Sequence, residues 1–380
     1  RYLNELISLR NNGMIKVITG MRRCGKSFLL FELFTSYLKE SGVDSDHIIV
    51  VDLEDYKNKA LRNPDNLYSY VESRIVDEGL YYILLDEVQM LEEFVDVLNG
   101  FLKMRNTDVY VTGSNAKFLS KDIATEFRGR GFEIKMYPLS FKEYMSAYSG
   151  SVTTAFNEYM LYGGLPQILM YETEQQKVKY LTSLFEETYI KDIKERYRVK
   201  KDGDLEELIN ILASGIGALS NPNKLANTFK SEKKSNISYD TIKDYIEYLC
   251  DSFLVEKVTR YDIKGRKYVN SPFKYYFMDL GLRNARLNFR QYEKSHLMEN
   301  VIYNELRIRG FNVDVGVVDV YGKDKEGKRV RKQLEVDFVV NQGSQRYYIQ
   351  VAYDMTSEEK QIQEFNSLRN IPDSFKKIVI

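Results

Sequence analysis

Apolar residues in the first part of the chain come in short continuous runs: "IKVITG" (15–20), "HIIVVDL" (47–53), "YYILLDE" (81–87), "DVYVTGS" (108–114) and "FEIKMYPL" (132–139). Stretches with apolar residues at helical spacing lie between them, as in "SFLLFELFTSYLKE" (27–40). Continuous apolar strands alternating with amphipathic helices predict a parallel sheet covered on both faces, an α/β arrangement. The pattern changes after that. "LEELINILAS" (205–214), "NPNKLANTF" (221–229) and "SYDTIKDYIEYLCDSFLV" (238–255) have helical periodicity, and Ser238 is placed to cap the third helix. "VEKVTRYD" (255–262) and "KYYFMD" (274–279) predict paired strands separated by "IKGRKYVNSPF". The last segment predicts a helix, "SHLMENVIYNELRIRG" (295–310), and three strands, "FNVDVGVVDV", "QLEVDFVV" and "RYYIQVAYD". The polar tip "GKDKEGKRV" (322–330) joins the first two of these strands.

The first strand runs into G-x-x-x-x-G-K-S, Gly20 to Ser27. Glycines let the main chain approach phosphate oxygens closely, and the helix that follows adds its N-terminal partial charge. The predicted cradle is Gly20, Met21, Arg22, Arg23, Cys24, Gly25, Lys26, Ser27 and Phe28. In such a loop Lys26 reaches the outer phosphates and the Ser27 hydroxyl ligates magnesium. The third strand ends in Asp86-Glu87, at the carboxyl end of a buried parallel strand, where such sheets bind ligands. Asp86 is expected to hold the magnesium, largely through water, and Glu87 to polarise the attacking water; Glu54 is the next carboxylate in line for that role. The fourth strand ends in "VTGSN", where Ser114 or Asn115 would sense the terminal phosphate or position the water.

A chain of 380 residues exceeds one ordinary core. The 55 basic and 55 acidic residues balance, which excludes a strongly basic, histone-like protein but leaves room for a local basic patch. Cys24 and Cys250, the two cysteines, offer no disulfide framework, and Cys24 reads as a small spacer within the loop. No apolar run approaches the roughly 18 residues of a membrane span and no signal peptide opens the chain, so a cytoplasmic protein with no membrane partner is expected. The start at Arg1 and the stop within "KKIVI" read as trimmed ends.

"GMRRCGKS", "YYILLDEVQ", "VTGSN" and "FRGRGFEIKMYPLSFKEY", in that order, resemble the ATPase domain of a prokaryotic AAA-type P-loop family, in which a C-terminal domain of uncharacterised function follows the ATPase. "YGGLP" (162–166), "MENVIYNEL" and "LEVDFVV" resemble that C-terminal part. The resemblance implies ATP and Mg2+ as cofactors, and an arginine, Arg128 or Arg130, lent to a neighbouring copy's nucleotide. A solvated loop arginine is the alternative.

The expected organisation is an AAA-type ATPase domain at 1–148, a helical linker and winged-helix-like domain at 149–285, and an α+β domain at 286–380 that resembles a degenerate restriction-endonuclease-like fold. Helices followed by a hairpin resemble a winged helix-turn-helix, which would offer Tyr239, Thr241 and Lys243 to a DNA groove and Lys264, Arg266 and Lys267 to phosphates. Equally, the module could serve only as a bridge between domains. Ahead of it, the basic run "YIKDIKERYRVKK" (189–201) reads by default as a solvated face. In the last domain, Glu299 and Asp337 stand where active members of the fold carry carboxylates. The acid-x-lysine place reads Gln350 to Ala352, which predicts binding without cutting unless a lysine such as Lys328 or Lys332 reaches in. The reading is magnesium-dependent ATP hydrolysis coupled to DNA, a homo-oligomer or a protein partner. The alternatives are a nucleotide-gated DNA-binding switch with little turnover and an ATP-dependent nuclease.

Overall fold

The structure, a computed structural model, describes residues 1–114, 127, 129–233, 237–323 and 329–380. It divides into two compact units, one of Arg1–Pro138 with Asp251–Phe253, the other of Leu139–Cys250 with Leu254–Ile380. Among the described residues no helix is long and apolar enough to cross a membrane.

The first unit is built on five parallel strands: β1 (Ile15–Gly20), β2 (Ile48–Asp52), β3 (Tyr81–Asp86), β4 (Thr107–Gly113) and β5 (Gly131–Met136), in the order β2-β3-β4-β1-β5. All five apolar runs are therefore strands. Their alternation sorts side chains onto two buried faces. Ile15, Val17, Ile83, Leu85, Val109 and Val111 join one core, while Ile18, Tyr82, Leu84 and Tyr110 join the other with Leu29, Leu30 and Phe34. The helix after the phosphate loop winds as a π-helix over Phe28–Phe34 and as an α-helix over Thr35–Glu40. β4 inserts between β1 and β3, so the ends of all three strands open on the same edge.

The second unit carries a six-stranded sheet, β6 (Val255–Asp262), β7 (Lys267–Phe277), β8 (Asn312–Lys323), β9 (Arg329–Gln342), β10 (Gln345–Gln350) and β11 (Lys376–Val379), ordered β11-β10-β9-β8-β6-β7. The expected hairpin exists as β6–β7, but β7 begins at Lys267, so most of the expected loop is strand. The turn is short because the Asp262 carboxylate accepts from the Gly265 amide and Arg266 takes a left-handed conformation, φ 51°. β6 also pairs in parallel with β8, so strands on either side of residue 285 share one sheet. The helix Lys294–Ile308 covers one face through Tyr303 and Leu306, and Leu368 of the helix Glu358–Arg369 covers the other. Helices Asp202–Ser214, Pro222–Lys233 and Tyr239–Asp251 match the three predicted, and Ser238 Oγ accepts from the Thr241 amide as a cap does.

"YGGLP" packs against the helix Leu280–Arg286 within this unit. The Asp279 carboxylate accepts from the amides of Gly164 (2.8 Å) and Leu282 (3.1 Å), and burial pushes its pKa up to about 6. Gly163 has φ 76°, and a Cβ there would meet the same carboxylate at 2.3 Å. At Gly281 a Cβ would meet the backbone oxygen of Tyr162 at 2.1 Å, a contact that no side-chain rotation relieves. Gly281→Ala is expected to cost about 3 kcal/mol or more of stability. Gly203→Ala, whose Cβ meets nothing within 4 Å, is expected to be stabilising by a few tenths to about 1 kcal/mol. Urea unfolding of the two variants checks this contrast; equal midpoints would contradict it.

Candidate functional site

The site in the first unit begins with the turn out of β1. Gly20 has φ 148°, and a Cβ there would lie 2.2 Å from the carbonyl oxygen of Met136, so only glycine lets the chain leave the sheet at this point. Gly25 (φ 102°) and Arg23 (φ 66°) shape the rest of the loop. Met21 and Cys24 are buried, Arg22 is half-buried, and Arg23, Ser27 and Phe28 face outward. Burial pushes the Cys24 thiol up, consistent with a spacer and not a reactive thiolate. Lys26 is 4% exposed, and its ammonium donates to the carbonyls of Gly20 and Met21, both at 3.1 Å. The loop and its lysine are thus one folded unit.

Opposite stands the end of β3. Ser27 Oγ donates to Asp86 Oδ2 at 2.7 Å, and Thr112 Oγ1 on β4 donates to Asp86 Oδ1. The Asp86 carboxyl is 3% exposed and its pKa is raised, mainly by burial, with Glu87 and Asp52 adding negative charge nearby. Asp52 lies beside it because β2 and β3 pair with Asp52 opposite Asp86. Glu87 itself sits in a left-handed conformation, φ 51° and ψ 52°, which costs a non-glycine residue about 1–2 kcal/mol. Its amide donates to Thr112 Oγ1 at 3.0 Å, and its carboxylate accepts from Ser114 Oγ at 2.9 Å and from Gln89 Nε2. Lys26 Nζ stands 3.8 Å from Glu87 Oε1. Glu54 is exposed and makes no side-chain contact to this cluster among the described residues.

Lys26, Ser27, Asp86, Glu87 and Ser114 therefore lie together at one edge of the sheet. Asn115 and Arg128 lie outside the described residues. Arg130 is exposed, and its carbonyl accepts from the Ile15 amide at the start of β1. A strand as long as β1 separates that edge from the loop, roughly 20 Å. Thr112, Gln89 and Asp52 were missed. For Thr112 the available signal was its place two residues before Ser114 on a strand already identified.

A second cluster of charge lies in the other unit. Glu299 and Asp337 approach each other, with Glu335 nearby. The sequence pointed to Lys328 or Lys332 as the lysine to join them. Lys332 is exposed and Lys328 lies outside the described residues, but Lys274 of β7 is buried among the carboxylates, 2.8 Å from Glu299 and 2.7 Å from Glu335. Tyr276 OH adds a hydrogen bond to Glu299 at 2.5 Å. Desolvation and the neighbouring Glu299 push Asp337 up to about 7. Gln350 Oε1 accepts from the Asp337 amide at 3.4 Å and from Ser367 Oγ, and its amide nitrogen donates to Glu364. Ala352 contributes only its amide, donated to Ile380.

Residues 12–145 match the AAA domain family, 153–293 a domain of unknown function (DUF8612) and 294–380 another (DUF4143). An uncharacterized protein of Haemophilus influenzae is 34% identical over 385 residues, covering 100% of this chain and 92% of that protein. The uncharacterized protein MJ1544 of Methanocaldococcus jannaschii is 30% identical over 369 residues, covering 92% and 78%. Among solved structures, the Aeropyrum pernix ORC1 protein in complex with DNA shares 13% identity at a TM-score of 0.30, over 75% of this chain and 91% of its own. The S. cerevisiae Hsp104–ADP complex shares 13% at a TM-score of 0.35, over 81% of this chain and 42% of its own.

Proposed function

This chain belongs to the same family as the Haemophilus influenzae and Methanocaldococcus jannaschii proteins and carries an AAA domain at its N-terminal end, and on that premise we propose that it is a magnesium-dependent ATPase. The observation that carries the reading is the meeting of Lys26, Ser27, Asp86 and Glu87 at one edge of the parallel sheet. In the proposed reaction, water attacks the terminal phosphorus, the bond to the bridging oxygen breaks, and ADP leaves with that electron pair. Glu87 accepts the water proton. Lys26 and the loop amides hold the outer phosphates against the charge that builds up in the transition state.

A magnesium ion fits the donors present. The Ser27 hydroxyl and Asp86 carboxylate are hard oxygen ligands in contact with each other, and Asp86 is buried beside two further carboxylates. Among the described residues no group of three or more His, Cys, Asp or Glu forms a metal cage, so water and phosphate oxygens would complete the shell. When bound, the ion supplies positive charge to the outer phosphate oxygens.

A nucleotide-gated switch with slow turnover is the second reading, and one observation favours it. The Glu87 carboxylate is held by Ser114 and Gln89 with Lys26 close by, so it must be released before it can take a proton from water. Measuring ATP hydrolysis with and without single- and double-stranded DNA, at several protein concentrations, separates the two. Steady turnover supports the ATPase; nucleotide binding with negligible turnover under all these conditions supports the switch.

Arg128 and Arg130 remain the candidates for an arginine acting on a second copy. The place of Arg130, at the far edge of the sheet from its own loop, is consistent with action in trans. Arg130→Ala is expected to bind ATP but hydrolyse it at least ten-fold more slowly, with partial recovery on mixing with Lys26→Ala. No recovery in any mixture would return Arg130 to an ordinary surface residue.

For the C-terminal parts we propose a winged-helix-like module that contacts DNA or a partner, followed by a restriction-endonuclease-like domain that binds without cutting; the expected boundary near 285 does not separate them, because β6 and β7 share one sheet with β8–β11. Support for the second lies in Gln350 and Ala352, which bring no charge to the acid-x-lysine place, whereas Lys274 is a lysine from another element, the exception that the sequence left open. Plasmid and short-duplex substrates with magnesium or manganese, with and without ATP, are expected to stay intact. Cutting that is lost in Asp337→Ala and survives in Lys26→Ala would overturn this.

A further inference from the structure

The basic run at 189–201 is not uniformly solvated. Its first half, the helix Lys191–Tyr197, spends its cations locally: Arg196 pairs with Asp192 at 2.6 Å, and Lys194 with Glu206 at 2.7 Å and Asp202 at 3.3 Å. At Arg198 the backbone turns left-handed, φ 49° and ψ 48°, and the helix ends. A non-glycine residue holds that conformation against its own preference, so the turn is imposed by its surroundings. Beyond it, residues 198–201 line a groove of about 450 Å³, closed on the other side by Ile237 to Tyr248 at the start of the helix Tyr239–Asp251.

The lining has a definite character. Arg198, Lys200 and Lys201 face Asp244 as the one acidic residue among them. Lys201 has Asp204 at 3.9 Å, while among the described residues neither Arg198 nor Lys200 pairs with a carboxylate, and both are exposed. Tyr197 and Tyr248 stack in the groove with ring centroids 3.9 Å apart and planes 8° from parallel, and Tyr245 lies beside them. Uncompensated cations attract phosphates, and a flat aromatic pair offers a base a face to stack on. An acidic peptide would need the first feature and leave the second without a use. The volume suits a unit of nucleotide size.

We propose that this groove binds a strand of nucleic acid with unpaired bases, its phosphates on Arg198, Lys200 and Lys201 and a base against the Tyr197–Tyr248 pair. The proposal rests on the DNA-coupling reading above and moves the contact. The sequence pointed to Tyr239, Thr241 and Lys243 with a wing at Lys264, Arg266 and Lys267. Of these only Thr241 lines the groove; Lys243 pairs with Glu247 at 3.9 Å, and Lys264 donates to the Asp319 carbonyl at 2.7 Å.

The test is fluorescence anisotropy of labelled single-stranded and duplex oligonucleotides with the full chain, across a salt series starting near about 50 mM. Arg198→Gln with Lys200→Gln should weaken single-strand binding at least ten-fold and lower the salt slope by about 1.4, two charges at about 0.7 each. Tyr248→Leu should weaken it with the slope unchanged, and Lys264→Gln with Lys267→Gln should bind as wild type. Lys200→Glu alone, which leaves the left-handed turn untouched, guards against misfolding, and thermal midpoints are compared throughout. If wild type binds and the groove variants bind equally well, the groove is wrong and the DNA reading stands. If wild type binds no oligonucleotide even at low salt, the DNA reading fails as well. Duplex binding tighter than single-strand binding would overturn the assignment to unpaired bases.

Discussion

Replacing Lys26 by alanine is expected to reduce ATP turnover by at least about a thousand-fold and to weaken nucleotide binding. The side chain is nearly fully buried, folded over the carbonyls of Gly20 and Met21, and its ammonium stands 3.8 Å from Glu87. Alanine removes that charge and leaves two loop carbonyls without their donor. The effect on fold stability should be small by comparison, because the strands and helix that form the loop are held by two separate apolar cores. Equilibrium binding of a fluorescent nucleotide, phosphate release and thermal unfolding, measured together, distinguish a lost site from a lost fold. A variant that binds and turns over ATP like wild type would remove the phosphate loop from the mechanism.

Replacing Glu87 by glutamine separates binding from chemistry. The amide keeps the length of the side chain and can still meet Ser114 and Gln89, but it cannot accept a proton from water. Hydrolysis is expected to fall by about 10²–10⁴-fold while nucleotide binding changes less than a few-fold. Loss of the charge near Lys26 works in the same direction for binding, since one of its acidic neighbours becomes neutral and the ammonium is freer to meet phosphate. Unchanged turnover would move the base elsewhere, with Asp52 the first to test because it stands opposite Asp86 on the neighbouring strand. That makes it a better second candidate than the exposed Glu54.

How far the sequence reached differs between the two units. In the first, each continuous apolar run became a strand, and the candidate site sits at the ends of those runs, where Gly20 to Ser27 and Asp86-Glu87 can be recognised from spacing alone. Thr112 was hidden because its role comes from β4 lying between β1 and β3, a pairing between residues far apart in the chain. The left-handed backbone of Glu87 was hidden too, since glutamate carries no preference that announces it. In the second unit, the helices and strands were legible from periodicity, but not their assembly. The parallel pairing of β6 with β8 draws the predicted hairpin into a sheet with strands more than fifty residues on. That is what brings Lys274 to Glu299 and Glu335, a lysine that no local spacing relates to either carboxylate. The basic run at 189–201 shows the same limit: its composition was plain, whereas the division of the paired cations before Arg198 from Arg198 and Lys200 themselves, which pair with no carboxylate among the described residues, depends on the turn at Arg198.

The most direct measurement of the central claim is phosphate release from ATP by the full chain with magnesium and with the metal chelated. The account predicts steady release that requires the metal, rises or holds with protein concentration, and vanishes in Lys26→Ala. Release that continues undiminished without metal, or that persists in Lys26→Ala, would contradict an ATPase site built on Lys26, Ser27, Asp86 and Glu87.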